Sequence, residues 1–222
     1  MELKEYGSKV LIMIFFIIIA VGDIVAIKYD KLKLRYVTKT LLIPLIVLFY
    51  IVSTANLNGM VLSALICCFL GDFFLLWSHK KAFFIAGLLS FLMGHIFYTI
   101  AFLQTTSFLS GIPKWFYFSL FPYIWYGIFI LKKLNPYLSS MKVPVIVYLI
   151  VILIMSFTSF SRIWALKGVS FWLPFTGSIF FIASDSLLAF RNFKLKLSRG
   201  WISIMITYIL AQLLIIFGFL CI

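Results

Sequence analysis

Cys67-Cys68-Phe69-Leu70-Gly71-Asp72-Phe73-Phe74-Leu75-Leu76-Trp77 places one aspartate inside a run that otherwise reads as lipid-soluble helix. A charged side chain deep in a bilayer costs about 2.5–3.5 kcal/mol even on the lenient insertion scale. A chain this apolar has no packing need for it. The signal recurs at Ile182-Ala183-Ser184-Asp185-Ser186-Leu187-Leu188-Ala189. The two aspartates therefore read as the centre of the protein, with the other helices holding them.

Composition sets the class. Of 222 residues, 64% are hydrophobic and only 11% are charged, and the mean hydropathy is +1.17. A soluble domain of this size cannot hide that much apolar surface. The runs are too continuous for an outer-membrane barrel, whose strands alternate. Helices follow, because backbone polar groups in lipid must be satisfied within their own segment. The expected fold is an all-α, polytopic membrane helical bundle. Eight transmembrane helices form a single domain over 1–222, with spans at roughly 9–27, 37–54, 59–78, 82–104, 114–131, 143–160, 169–190 and 201–221.

The net charge of +13 would point to nucleic acid in a soluble protein. Here the basic residues fall in short connections and set topology, so no nucleic-acid partner is expected. The loops after spans one, three, five and seven carry Lys28, Lys31, Lys33, Arg35, Lys80, Lys81, Lys132, Lys133, Lys142, Arg191, Lys194, Lys196 and Arg199. The opposite side carries Lys4, Lys9, Lys114, Arg162 and Lys167, and Lys39 is left inside span two. The positive-inside rule then puts both termini outside. The first run lacks a small-x-small cleavage site and is expected to stay as an uncleaved helix. Cys67, Cys68 and Cys221 lie in or at the end of apolar runs. Neither a disulfide nor a metal site is expected, and no cofactor motif is present.

Depth groups the polar residues. Odd spans end at the basic side and even spans begin there. Asp23, Lys39, Asp72 and Asp185 then share one layer, within ~10 Å of the basic surface at ~1.5 Å per residue. His95 and Tyr98 in span four, and Tyr208 and Gln212 in span eight, sit deeper. Each pair shares a helix face, at i,i+3 and i,i+4. Gly71-Asp72 and Ser184-Asp185 both open a small-Asp-x-x-Leu pattern, in the third helix of each four-helix half. The interval from Asp72 to His95 equals that from Asp185 to Tyr208. An approximate 4+4 repeat about an axis along the membrane normal would bring the two aspartates face to face.

Two neighbouring carboxylates in low dielectric do not both ionise readily, so the pair supplies a general acid and a general base. The competing reading makes Asp72 and Lys39 a structural ion pair, which would spoil Asp72 as an acid. His95 reads as a proton relay, a phosphate contact or a packed interhelical hydrogen bond. Lys39 reads as a headgroup-phosphate ligand or as a snorkelling lysine. Tyr208 and Gln212 orient a polar group or glue helices together. Asp23 is close enough to its helix end to reach water and reads as structural. There is no nucleophile elbow, zinc-protease motif or phosphate loop, and the acidic residues are too sparse for a two-metal site.

Five elements, in this order, resemble the YhhN-like family of integral membrane proteins. They are Lys39 with Leu41-Leu42-Ile43-Pro44, Gly71-Asp72-x-x-Leu75-Leu76, Phe91-Leu92-Met93-Gly94-His95-x-x-Tyr98, Ser184-Asp185-x-x-Leu188-Ala189, and Tyr208-x-x-Ala211-Gln212. Where the family typically has Lys-Pro in its second helix, this chain has Lys39-Thr40, which bears on the local bend more than on the lysine. The resemblance implies an eight-helix fold and lysoplasmalogenase activity. That activity is hydrolysis of the lysoplasmalogen vinyl ether to a fatty aldehyde and a glycerophospho-ethanolamine or -choline. It implies Asp72 and Asp185 as the catalytic pair. Lys39, His95, Tyr98, Tyr208 and Gln212 are candidates for substrate binding or proton relay. The expected partners are a lysophospholipid substrate and membrane lipids, and the expected location is the inner membrane if the source is bacterial. A second reading is a proton-coupled transporter of a small or lipid-like solute. A third is a lipid-binding or assembly protein without turnover.

Overall fold

Eight apolar runs become eight α-helices in a computed structural model that describes residues 2–105, 113–194 and 200–222. They are α1 (Glu2–Lys28), α2 (Leu32–Ser53), α3 (Gly59–Leu75), α4 (Lys81–Gln104), α5 (Leu120–Leu134), α6 (Lys142–Ser161), α7 (Val169–Phe193) and α8 (Gly200–Leu220). Short 3-10 segments fill several connections, and the described residues contain no strand. The fold is all-α, as expected.

Six helices, α1, α2, α4, α6, α7 and α8, are long and apolar enough to cross a membrane on their own. The chain is an integral membrane protein on that evidence. The other two are shorter, α3 with 17 residues and α5 with 15, against the ~20 that a bilayer core requires. Span five, expected as one helix over 114–131, is in fact a 3-10 segment, Lys114–Ser119, followed by α5. The 3-10 rise of ~2.0 Å per residue makes up the missing length.

Several residues assigned to loops are helical. Arg35 lies in the second turn of α2, Lys132 and Lys133 in the last turn of α5, and Arg191 in the last turn of α7. Hydropathy reports solubility in lipid, not backbone conformation, and Lys and Arg are good helix formers. The side chains of Lys4, Lys196 and Arg199 lie outside the described residues.

The chain divides into two compact units, Met1–Phe97 and Tyr98–Ile222. In the first, α1 packs along α2. Asp30 at φ 50° makes the turn between them, and Lys31 N donates to Ala26 O at 2.9 Å. Asn58 caps α3, accepting from Met60 N at 2.9 Å. Its own N–H donates to Tyr50 Oη at 3.1 Å, tying the cap to α2. Gly71, beside Asp72, lets α4 approach. A Cβ there would sit 2.6 Å from the Phe91 ring, so any larger residue would force the helices apart. Thr40 bonds back to Tyr36 O at 2.7 Å, and α2 runs unbroken through it and through Pro44.

In the second unit α7 packs most extensively on α8. A Cβ on Gly218 would lie 2.2 Å from the Pro174 ring, so only glycine admits that contact. Ser184 donates to Ile204 O at 3.1 Å across the same pair. Arg162, expected as an exposed loop charge, is instead buried. Its Nε donates to Thr105 Oγ1 at 2.9 Å. Its guanidinium lies 5.1 Å and 5.2 Å from the Phe102 and Phe219 ring centroids. Planar, weakly hydrated guanidinium suits such stacking better than ammonium does.

Candidate functional site

The first unit gathers its charge on one face of α2. Arg35, Thr38 and Lys39 stand at i, i+3 and i+4, so they share that face. Thr38 donates to Asp23 Oδ1 on α1 at 2.9 Å. Lys39 Nζ lies 3.2 Å from Asp72 Oδ1 on α3, with both side chains only 3% exposed. Arg35 acts electrostatically on both Asp23 and Asp72. Two basic side chains therefore face two carboxyl groups, and pairing of this kind is what makes ionisable groups tolerable in so apolar a setting. Asp23 does not reach water as expected. It is fully buried, because α2 begins five residues earlier than hydropathy indicates and covers it. His95 is also fully buried, on α4 in this unit.

The expected alternative for Asp72 is thus realised as geometry. Opposite charges 3.2 Å apart in low dielectric attract strongly, which ties α2 to α3. A carboxylate paired in this way makes a poor proton donor.

The second unit treats its aspartate differently. Successive residues of α7 are rotated by about 100°, and Ser184, Asp185 and Ser186 accordingly reach three different helices. Ser184 bonds to α8, as above. Asp185 Oδ2 accepts from Tyr148 Oη of α6 at 2.5 Å. Ser186 Oγ and Tyr126 Oη of α5 share a hydrogen bond of 2.8 Å. Asp185, Ser186 and Tyr148 line a small cavity with Ile182 and Leu149. Ile182 also lines a much larger one, of about 480 Å³, between α5, α6 and α7.

Tyr98, Tyr208 and Gln212 come together in this unit. Tyr98 Oη donates to Gln212 Oε1 at 2.6 Å, and Gln212 Nε2 donates to Tyr208 Oη at 3.4 Å. Further along, Ser156 and Ser178 share a hydrogen bond of 2.9 Å, and Ser178 donates to Phe175 O at 2.7 Å. These hydroxyls are occupied in joining α6 to α7.

Sequence reasoning missed Tyr148, Tyr126, Thr38 and Arg35. Helical spacing from Lys39 would have found Thr38 and Arg35. Nothing in the sequence pairs Tyr148 with Asp185, because that contact depends on how α6 is rotated against α7.

The family model that matches this chain is that of the YhhN family, over residues 34–219. No curated protein matches the chain. No solved structure matches it either.

Proposed function

The chain belongs to the YhhN family, and from that premise we propose that it is an intramembrane hydrolase of the lysoplasmalogen vinyl ether. Asp72 and Asp185 are its acid–base residues. The observation that carries the reading is Asp185: a carboxyl group held by Tyr148 at the edge of a small cavity whose lining shares Ile182 with a larger, apolar one. A carboxyl group with room for a hydrocarbon nearby supports the reading.

The chemistry needs two carboxyl functions. An acid protonates the alkene carbon that is not bonded to oxygen, leaving an oxocarbenium ion. A charged carboxylate stabilises that cation and takes a proton from the attacking water. The hemiacetal so formed collapses to aldehyde and alcohol. Asp72, paired with Lys39, suits the charged role, and Asp185 suits the proton donor. Tyr148 orients the Asp185 carboxyl group through its hydrogen bond to Oδ2. Lys39 and Arg35 supply positive charge for a headgroup phosphate. His95 is a proton-relay candidate.

Release of fatty aldehyde from a defined lysoplasmalogen by purified protein tests the proposal. Asp72→Asn and Asp185→Asn are each expected to lower the rate by about 10²–10⁴-fold, the usual share of acid–base catalysis. Turnover that survives in both folded variants would remove the aspartates from the mechanism. No aldehyde from folded wild type, with either headgroup, would remove the reaction itself.

A further inference from the structure

The large cavity between α5, α6 and α7 has an unusual wall. Pro122, Leu153, Phe160, Phe175, Ile179 and Ala183 present carbon to it. Only three hydroxyl-bearing residues line it, and each hydroxyl is engaged elsewhere. Ser119 donates to Phe116 O at 2.6 Å. Tyr123 shares a 3.4 Å hydrogen bond with Ser156, and Tyr126 shares one of 2.8 Å with Ser186. A polar ligand would leave its own groups unpaired there, which the site penalises. At about 480 Å³ the space falls within the range of small-ligand sites.

Its position is equally specific. Ile182 lines both this cavity and the small one around Asp185. Along α7, Ala183, Ile179 and Phe175 recede from Asp185, the last by about 15 Å at the helical rise. At that far end the Phe160 and Phe175 rings lie 5.0 Å apart. Ile179 is 43% exposed, so the wall also reaches the lipid-facing surface, where a chain can enter sideways.

We infer that this cavity holds the hydrocarbon tail of the single-chain lipid whose bond is cleaved beside Asp185, and that its depth sets the preferred tail length. The inference rests on the proposed hydrolase reading for what happens at Asp185, but tail binding is measurable without turnover. Ile179→Trp narrows the cavity at a lipid-exposed position that tolerates bulk. Phe175→Ala lengthens it. The two residues stand six and ten positions before Asp185, about 9 and 15 Å away at the helical rise.

Two measurements test this. In the first, a single-chain phospholipid with a diazirine near its tail end is photolysed with the protein in lipid nanodiscs, and the labelled peptides are mapped. Label is expected on α5–α7 peptides bearing the wall residues. Excess unlabelled lysophospholipid should remove it, and excess diacyl phospholipid should not. Label spread over all lipid-facing helices, or equal competition by the diacyl lipid, would overturn the inference. In the second, aldehyde release is compared across a series of tail lengths. The depth of the wall then sets how many methylenes it can hold. Ile179→Trp is therefore expected to shift the optimum towards shorter tails and Phe175→Ala towards longer ones. An unchanged profile in both folded variants overturns the tail site and leaves the reaction standing. Specific label with no aldehyde from wild type overturns the reaction and leaves the tail site standing.

Discussion

Asp72 and Asp185 open the same short pattern of residues, yet different forces hold them. In the first unit Asp72 belongs to a dry group of charges, with Lys39 at 3.2 Å and Arg35 acting on it as well. In the second, Asp185 is half-buried, is held by a neutral phenol and borders a cavity. The first arrangement ties the carboxylate to the cations of α2. The second leaves a carboxyl group with room beside it. A repeated motif therefore does not imply a repeated role, and the partners decide what each copy does.

The sharpest way to break that comparison is to remove the cation. Lys39→Met takes away the cation 3.2 Å from buried Asp72 and keeps Arg35. Breaking one side of a buried pair costs about 3–5 kcal/mol, and Arg35 should hold the loss near the lower end. The double variant Lys39→Met with Asp72→Asn should recover most of that loss, since it removes both charges. Unfolding in detergent followed by circular dichroism measures both. Asp185→Asn should change stability by less than about 1 kcal/mol in the same assay. If Lys39→Met proves as mild as Asp185→Asn, the two regions do not differ in the way described.

A second comparison sharpens the role of Tyr148. Tyr148→Phe keeps the ring and removes the hydroxyl that fixes Asp185. A hydrogen bond to a charged or proton-transferring group is worth about 1.5 kcal/mol, or roughly a tenfold loss in kcat. The expected result is that loss with KM unchanged and with little change in stability. A rise in KM alone would make Tyr148 a substrate contact and not an orienting group.

The two units also differ in how much of them was legible in the sequence. All eight helices follow from continuous apolar runs, because lipid leaves the backbone no alternative. The start of α2 did not. Its first turns are basic, and hydropathy reads Leu32–Tyr36 as connection, which puts Arg35 in a loop and Asp23 near water. Helical spacing carried the charges on α2 well once the helix was extended, since Arg35, Thr38 and Lys39 then share a face. In the second unit the aspartate was found and its surroundings were not. Tyr126, Tyr148 and the cavity come from three helices whose mutual rotation no single-chain pattern specifies. Arg162 shows the same limit: its charge suggested a loop, and its guanidinium lies between Phe102 and Phe219.

The smallest expected effect concerns Tyr98, Tyr208 and Gln212, which either glue helices or orient a substrate. Tyr98→Phe removes the 2.6 Å hydrogen bond to Gln212. Hydrogen bonds between membrane helices average about 0.6 kcal/mol, so glue predicts a stability loss of that order with aldehyde release unchanged. Substrate orientation predicts the reverse, a raised KM in a protein of unaltered stability. The geometry favours glue. Tyr98 lies on α4 and Gln212 on α8, both groups are buried, and the Gln212 amide is engaged at both ends, by Tyr98 through its oxygen and by Tyr208 through its nitrogen. An amide with both ends occupied has little left to offer a headgroup. Deep polar residues in the second unit would then support the fold, and the chemistry would lie with Asp185 alone on that side of the comparison.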